Sequence, residues 1–236
     1  MDGKEDLVRE LVRLGYLKTP RIIDAFRAID RKDFVLPEHS DEAYGNYPLP
    51  IGFGQTISQP LTVAFMLEFL EPLPGEHILD IGAGSGWQTA LLAYCVASDA
   101  RPPARGGTVI AVERIPELAA MTERNVQKYG FVERNIVHVV CADGSRGVSA
   151  ELVPKEGLAL SPSTSFRMNR VEGFDKIIAA ASARGIPPAW KKQLKPGGRI
   201  VAPVGESIVV LDKRENGEFE RTEHHGFVFV PLVEKG

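Results

Sequence analysis

Cysteine is scarce in this sequence: Cys95 and Cys141 are the only two in 236 residues. Two cysteines cannot make a disulfide framework. Both stand in apolar stretches, where buried free thiols are expected. A reducing, cytoplasmic setting is the expectation. An excess of one charge is also lacking. Lys and Arg number 28, Asp and Glu 31, and the net charge is −3. Such a balance offers no electrostatic footprint for a polyanion, so no nucleic-acid partner is expected. No apolar run approaches the roughly 18 residues of a membrane span. The opening Met1-Asp2-Gly3-Lys4-Glu5-Asp6 is charged with no apolar core after it, so no secretory leader is expected. The five histidines show no metal-ligand spacing with Cys, Asp or Glu, so no metal is expected. Internal repeats are absent.

What the chain has is an alternation of strands and helices. At this length one α/β domain with a sizeable core is expected. Helical periods run over Glu5–Leu14 and over Pro20–Ile29, the second with Thr19 as N-cap. Residues 33–57 are rich in Pro, Gly, Tyr and Asn and read as loop. A helix over Gln59–Leu70 follows, with Ser58 at its start. Short apolar strands are predicted at His77–Ile81, Thr108–Glu113, Ile136–Val140, Phe174–Ala180 and Arg199–Pro203. Helices between them are predicted at Gln88–Val96, Glu117–Tyr129 and Pro188–Leu194. This alternation predicts a doubly wound, mostly parallel sheet. Ile208–Asp212 and Glu223–Pro231 read as an antiparallel hairpin at its edge. The whole chain is expected to be one unit: a helical and loop cap over 1–57 and a Rossmann-like core over 58–236. Ser98–Gly107 reads as a surface loop. Residues 149–173 read as an insertion, with a lid over the site as the lesser alternative.

The run Asp80-Ile81-Gly82-Ala83-Gly84-Ser85-Gly86-Trp87 lies between a strand and a helix. Open α/β sheets bind ligands at the carboxyl ends of their strands. Glycines there permit sharp turns and close approach of a ligand. A dinucleotide calls for G-x-G-x-x-G, but here the glycines fall at 82, 84 and 86 and residue 87 is tryptophan. The G-x-G-x-G spacing after an acid is that of class I S-adenosylmethionine methyltransferases. Glu113 ends the second strand, where a carboxylate can accept ribose hydroxyls. Asp143-Gly144 follows the third, where a carboxylate can meet the adenine amino group. Alone, Glu113 could be a solvated strand end and Asp143-Gly144 a plain turn. Their joint placement selects a nucleoside cofactor.

Upstream stands Gly54-Gln55-Thr56-Ile57-Ser58-Gln59-Pro60. With it, the chain resembles the protein-L-isoaspartate O-methyltransferases. Ala43-Tyr44 and Leu49-Pro50-Ile51-Gly52 are similar to that family's approach to the motif. Similar stretches follow at Phe174–Ala181, at Gln193–Gly205 and at Phe229-Val230-Pro231-Leu232, so the resemblance covers about residues 30–232. It implies methyl transfer from S-adenosylmethionine to L-isoaspartyl carboxylates of damaged proteins, with S-adenosylhomocysteine as product. The ester then closes to a succinimide that can reopen to aspartate. The family's essential serine aligns with Ser58, and substrate contact falls on Thr56 and Ser58. Cofactor contact falls on Gln55, Thr56, Ile57, Asp80, Gly82, Gly84, Ser85, Gly86, Glu113, Asp143 and Gly144. A monomer in the cytoplasm is expected, acting on isoaspartyl proteins and peptides.

A carboxylate is already ionised at neutral pH and needs no general base. Ser58 would orient it by hydrogen bonding; no sequence neighbour suggests a covalent role. The plainer reading makes Ser58 the N-cap of the helix that follows. Three departures from the family stand out. Trp87 replaces a tyrosine. Leu61-Thr62-Val63 lacks the histidine common a few residues after the serine. The insertion at 149–173 lengthens a segment that is usually short. A methyltransferase of this fold acting on another carboxylate or small molecule is the alternative. A non-catalytic cofactor-binding adaptor and an NAD-dependent oxidoreductase are further ones.

Overall fold

The structure, a computed structural model, describes residues 3–97, 106–148 and 173–232. Two amphipathic helices, α1 (Gly3–Arg13) and α2 (Pro20–Ala28), open the chain. Two short 3-10 turns follow, Arg31–Phe34 and Pro37–Glu42. Next comes a two-stranded antiparallel ribbon, β1 (Leu49–Gly52) and β2 (Gln55–Ile57). The ribbon and turns correct the expectation of plain loop over 33–57. Gly52 and Gly54 take positive φ (+89° and +68°) around the reversal at Phe53, which lets so short a hairpin close.

α3 (Pro60–Leu70) leads into the core strands β3 (His77–Ile81), β4 (Thr108–Glu113), β5 (Val137–Cys141), β6 (Phe174–Ala179) and β7 (Leu194–Val204). Between them lie α4 (Trp87–Val96), α5 (Pro116–Gln127) and α6 (Pro188–Gln193). β8 (Ser207–Lys213) and β9 (Phe219–His225) complete a seven-stranded sheet of order β5-β4-β3-β6-β7-β8-β9. The five strands from β5 to β7 are parallel, and β8 and β9 are antiparallel additions. The chain winds outward from β3 to β5 and then returns to β6 on the other flank of β3. That reversal opens a crevice at the carboxyl ends of β3 and β6, where open sheets place ligands.

Alternation along the strands divides the core into two layers. Ile78, Val109, Ala111, Ile178 and Val201 pack with α1 to α5 on one face. Leu79, Ile110, Val112, Ile177 and Ile200 pack with Trp190 of α6 on the other. α4 is apolar around nearly its whole circumference, and only Tyr94 is not buried, as a helix enclosed on all sides requires.

The hairpin differs from expectation. β9 pairs from Phe219 to His225, and the apolar Phe227–Leu232 leaves the sheet. The turn sets the register: Arg214 N donates to Glu218 O at 2.8 Å, with Gly217 at φ +85°. A charged outer strand also blunts the exposed sheet edge. Cys95 is buried as expected, but Cys141, the last residue of β5, is exposed. The insertion at 149–173 and the loop at 98–107 lie almost wholly outside the described residues. No helix among the described residues is long and apolar enough to cross a membrane.

Candidate active site

The glycine loop leaves β3 with Gly82, Gly84 and Gly86 all at positive φ (+81°, +60° and +93°). Side chains rarely adopt that region, so the turn calls for glycine at all three. α5 and the end of β4 lock the loop from outside. Thr122 Oγ1 donates to Gly84 O and Asn125 Nδ2 to Ser85 O, both at 2.9 Å. Glu113 Oε2 accepts from Gly84 N at 3.0 Å, and its Oε1 accepts from Ile115 N at 2.9 Å. The carboxylate has about four acceptor positions, so these bonds leave it able to take further donors.

Two adjoining cavities meet at this loop, with Thr56, Gly82, Gly84 and Ala180 lining both. The larger, of about 670 Å³ counted to its open mouth, is walled by strand ends. Gln55, Glu113, Asp143 and Gly144 line it, as expected of cofactor contacts. Asp143 Oδ1 accepts from Ser145 N and Ser145 Oγ, which shapes the turn after β5. A Cβ on Gly144 would stand 2.6 Å from Ile81 Cγ2, so glycine is required there. Trp190 Nε1 donates to Gly144 O at 2.8 Å and holds the turn from below.

The smaller cavity, of about 320 Å³, brings Ile57, Ser58, Ser85 and Trp87 to the glycine loop. Among the described residues no Asp, Glu, His, Lys or Arg lines it. Ser58 is half-buried, and its carbonyl accepts from Arg31 Nη2 at 3.2 Å. It does not cap α3. Gln59 occupies the N-cap position without a side-chain bond. Asn46, from the loop before the ribbon, accepts from Leu61 N through Oδ1 at 3.0 Å and supplies the cap.

Asp80 and Gly86, expected to touch the cofactor, line neither cavity. Asp80 is fully buried and accepts from Gln88 Nε2 at 2.8 Å and Thr89 Oγ1 at 2.6 Å. Burial pushes its carboxyl up to about 6 despite those two bonds. Gly86 instead permits close packing with α5, where a Cβ would meet Thr122 Cα at 3.2 Å. Several lining residues carried no signal that assigned them to the site. Arg114 and Ile115 follow β4, Ala180 and Ala181 follow β6, and Val230–Leu232 returns from the hairpin. Ser182 N donates to Val230 O at 2.8 Å and Leu232 N to Ser182 O at 2.7 Å, which fixes that return.

These residues fit S-adenosylmethionine. The glycine cradle and the Glu113 carboxylate suit a nucleoside. Gln88 and Thr89, in the first turn of α4, are already engaged by an acid, a poor seat for a pyrophosphate. A reaction cavity with no basic side chain among its described lining residues suits a cationic sulfonium. Among the described residues no cluster of three or more His, Cys, Asp or Glu could hold a metal.

The sheet and this site together define a class I, Rossmann-like methyltransferase dependent on S-adenosylmethionine. The family model for protein-L-isoaspartate(D-aspartate) O-methyltransferase matches residues 2–157 and 168–236. The unmatched internal residues 158–167 fall inside the expected insertion. The protein-L-isoaspartate O-methyltransferase of Methanopyrus kandleri is 39% identical, over 98% of this chain and 91% of that one. The enzyme of the same name from Thermococcus onnurineus is 38% identical, over 96% and 91%. A crystal structure of a beta-aspartate methyltransferase (PCMT) from Plasmodium falciparum, in complex with S-adenosyl-L-homocysteine, shares the fold. Its TM-score is 0.80 at 20% identity, over 100% of both chains. The chain belongs to the protein-L-isoaspartate(D-aspartate) O-methyltransferase family.

Proposed function

We propose that this chain methylates the side-chain carboxylate of L-isoaspartyl residues in damaged proteins, and that Ser58 orients that carboxylate. One observation carries the reading: Ser58 and the glycine loop line a single cavity in which, among the described residues, no ionisable side chain stands. A reaction that needed a proton removed would call for a base there. An isoaspartyl carboxylate is ionised at neutral pH and needs only placement and exclusion of water. S-adenosylmethionine, when bound, supplies an electrophilic methyl group.

The chain's residues divide the remaining work. Glu113 takes ribose hydroxyls, with its carboxylate fixed by Gly84 N and Ile115 N. Asp143 and Gly144, which line the larger cavity, would hold the adenine base. Thr56, common to both cavities, stands where cofactor and acceptor meet. The Ser58 hydroxyl donates to one carboxylate oxygen and leaves the other to react. Asp80 and Gly86 support the loop from behind. The same reading makes the chain a single catalytic unit, a cytoplasmic monomer with neither nucleic acid nor membrane as partner.

Transfer of labelled methyl to matched peptides, one with isoaspartate and one with aspartate, tests the function. Labelling of the isoaspartyl peptide alone is expected. Equal labelling of both, or of neither despite tight binding of S-adenosylhomocysteine, would sink it.

A further inference from the structure

Arg31 is the first residue of the 3-10 turn after α2, in the polar run Asp30-Arg31-Lys32-Asp33. Its side chain is nevertheless 2% exposed. Among the described residues no carboxylate lies within salt-bridge distance of it. Its partners are backbone carbonyls instead. Nη1 donates to Ala43 O at 2.7 Å and Gly45 O at 3.2 Å. Nη2 donates to Tyr47 O at 3.0 Å and Ser58 O at 3.2 Å. The guanidinium also lies over the Trp87 ring, 5.2 Å from its centroid.

Two of these contacts, Ser58 and Trp87, line the smaller cavity. Two others, Gly45 and Tyr47, flank Asn46. Asn46 in turn accepts from Gln59 Nε2 at 2.9 Å and from Leu61 N at 3.0 Å. Ser58 is therefore gripped directly through its own carbonyl and indirectly through the two residues that bracket Pro60. We propose that Arg31 is a positioning residue for methyl transfer, holding the Ser58 segment against the glycine loop from behind the cavity wall. The proposal rests on the function proposed above.

Stability alone is a poor reason for a buried cation, because an apolar side chain of like volume often serves as well. A planar fork that reaches several carbonyls at fixed angles is what arginine supplies and lysine does not. A misplacement of about 1 Å at a reacting group can cost about 100-fold in rate.

The test is a double-mutant cycle. Arg31→Met and Arg31→Lys are each made alone and combined with Ser58→Ala. Calorimetry with S-adenosylhomocysteine reports the cofactor site independently of turnover. Steady-state kinetics on the isoaspartyl peptide give kcat and KM. Arg31→Met is expected to leave the Kd within about threefold and to lower kcat about 100-fold. Arg31→Lys, which keeps the charge and reaches some carbonyls, is expected to fall between it and the wild type. In the Ser58→Ala background Arg31→Met should cost less than about threefold more, because the two residues act as one unit.

Equal losses in both backgrounds, or no loss in Ser58→Ala itself, would overturn the positioning role. Loss of S-adenosylhomocysteine binding in both Arg31 variants would reduce Arg31 to a residue of the fold. A wild type that binds S-adenosylhomocysteine tightly yet leaves the isoaspartyl peptide unlabelled would refute the function, and with it the role given to Arg31.

Discussion

The two cavities share a wall and are built in different ways. The larger is assembled from the ends of neighbouring strands, each delivering its residues directly after its last pairing: Gly82 and Gly84 after β3, Glu113 at the end of β4, Asp143 and Gly144 after β5. The sheet register brings these strand ends side by side, and bonds from Thr122, Asn125 and Trp190 fix the loops that leave them. The smaller cavity takes one wall from the same glycine loop and another from β2 and the start of α3, outside the main sheet. There, tethers replace register: Arg31 to four carbonyls, and Asn46 to the start of α3. A binding surface can be inherited from the fold, while a reacting group has to be held by contacts of its own.

The difference can be broken at graded cost. Gly86→Val should have the largest effect, since the residue is at φ +93° and faces Thr122 Cα at 3.2 Å. A loss of about 3 kcal/mol or more is expected from strain and overpacking together. Thermal unfolding checks it, and an unchanged Tm would show that α5 does not brace the loop.

Asp80→Asn should remove a pH dependence. Burial pushes the folded carboxyl up to about 6, well above the usual aspartate range. Between about pH 4 and pH 6 the folded chain keeps a proton that the unfolded chain releases. Stability therefore falls as pH rises through that window, by about 3 kcal/mol in all. Urea unfolding at the two ends of the window should show this fall in wild type and a smaller one in Asp80→Asn. Equal slopes would contradict the burial of a protonated acid.

A smaller effect is expected at the exposed end of the cofactor cavity. Gln55→Ala should weaken S-adenosylhomocysteine by only about threefold, since the side chain is half-exposed there. Calorimetry decides, and a loss comparable to that of a strand-end residue would erase the distinction between rim and base. The smallest structural disturbance should come from thiol labelling. Cys141 should react with a maleimide in the native state. Cys95, whose thiol burial pushes up to about 12, should react only on unfolding. Native modification of both would contradict the packing of α4.

The cofactor side was largely legible in the sequence because its signals are local. A strand, a glycine turn and a terminal carboxylate repeat within a few residues, and each means the same thing wherever it occurs. Asp80 and Gly86 belong to the same motif, yet they face α4 and α5, because a motif fixes spacing and not the direction of each side chain. The reaction side was legible only through the resemblance of Gln55-Thr56-Ile57-Ser58. The ribbon around Phe53 was hidden by glycine and proline, which read as loop. Arg31 was hidden because nothing in a lone arginine shows that carbonyls 12 to 27 residues away will enclose it. Asn46 as the remote cap of α3 was hidden for the same reason, and a nearer hydroxyl, Ser58, stood in the expected place.

The most direct measurement crosses one residue from each cavity. S-adenosylhomocysteine affinity and methyl transfer to the isoaspartyl peptide are measured in wild type, Glu113→Ala and Ser58→Ala. Glu113→Ala should weaken S-adenosylhomocysteine roughly 10- to 100-fold, as loss of hydrogen bonds to a charged group implies. Ser58→Ala should bind it as wild type does and lose about 100-fold in kcat. A Ser58→Ala variant that binds poorly, or that turns over normally, would contradict the separation of a cofactor cavity from a reaction cavity.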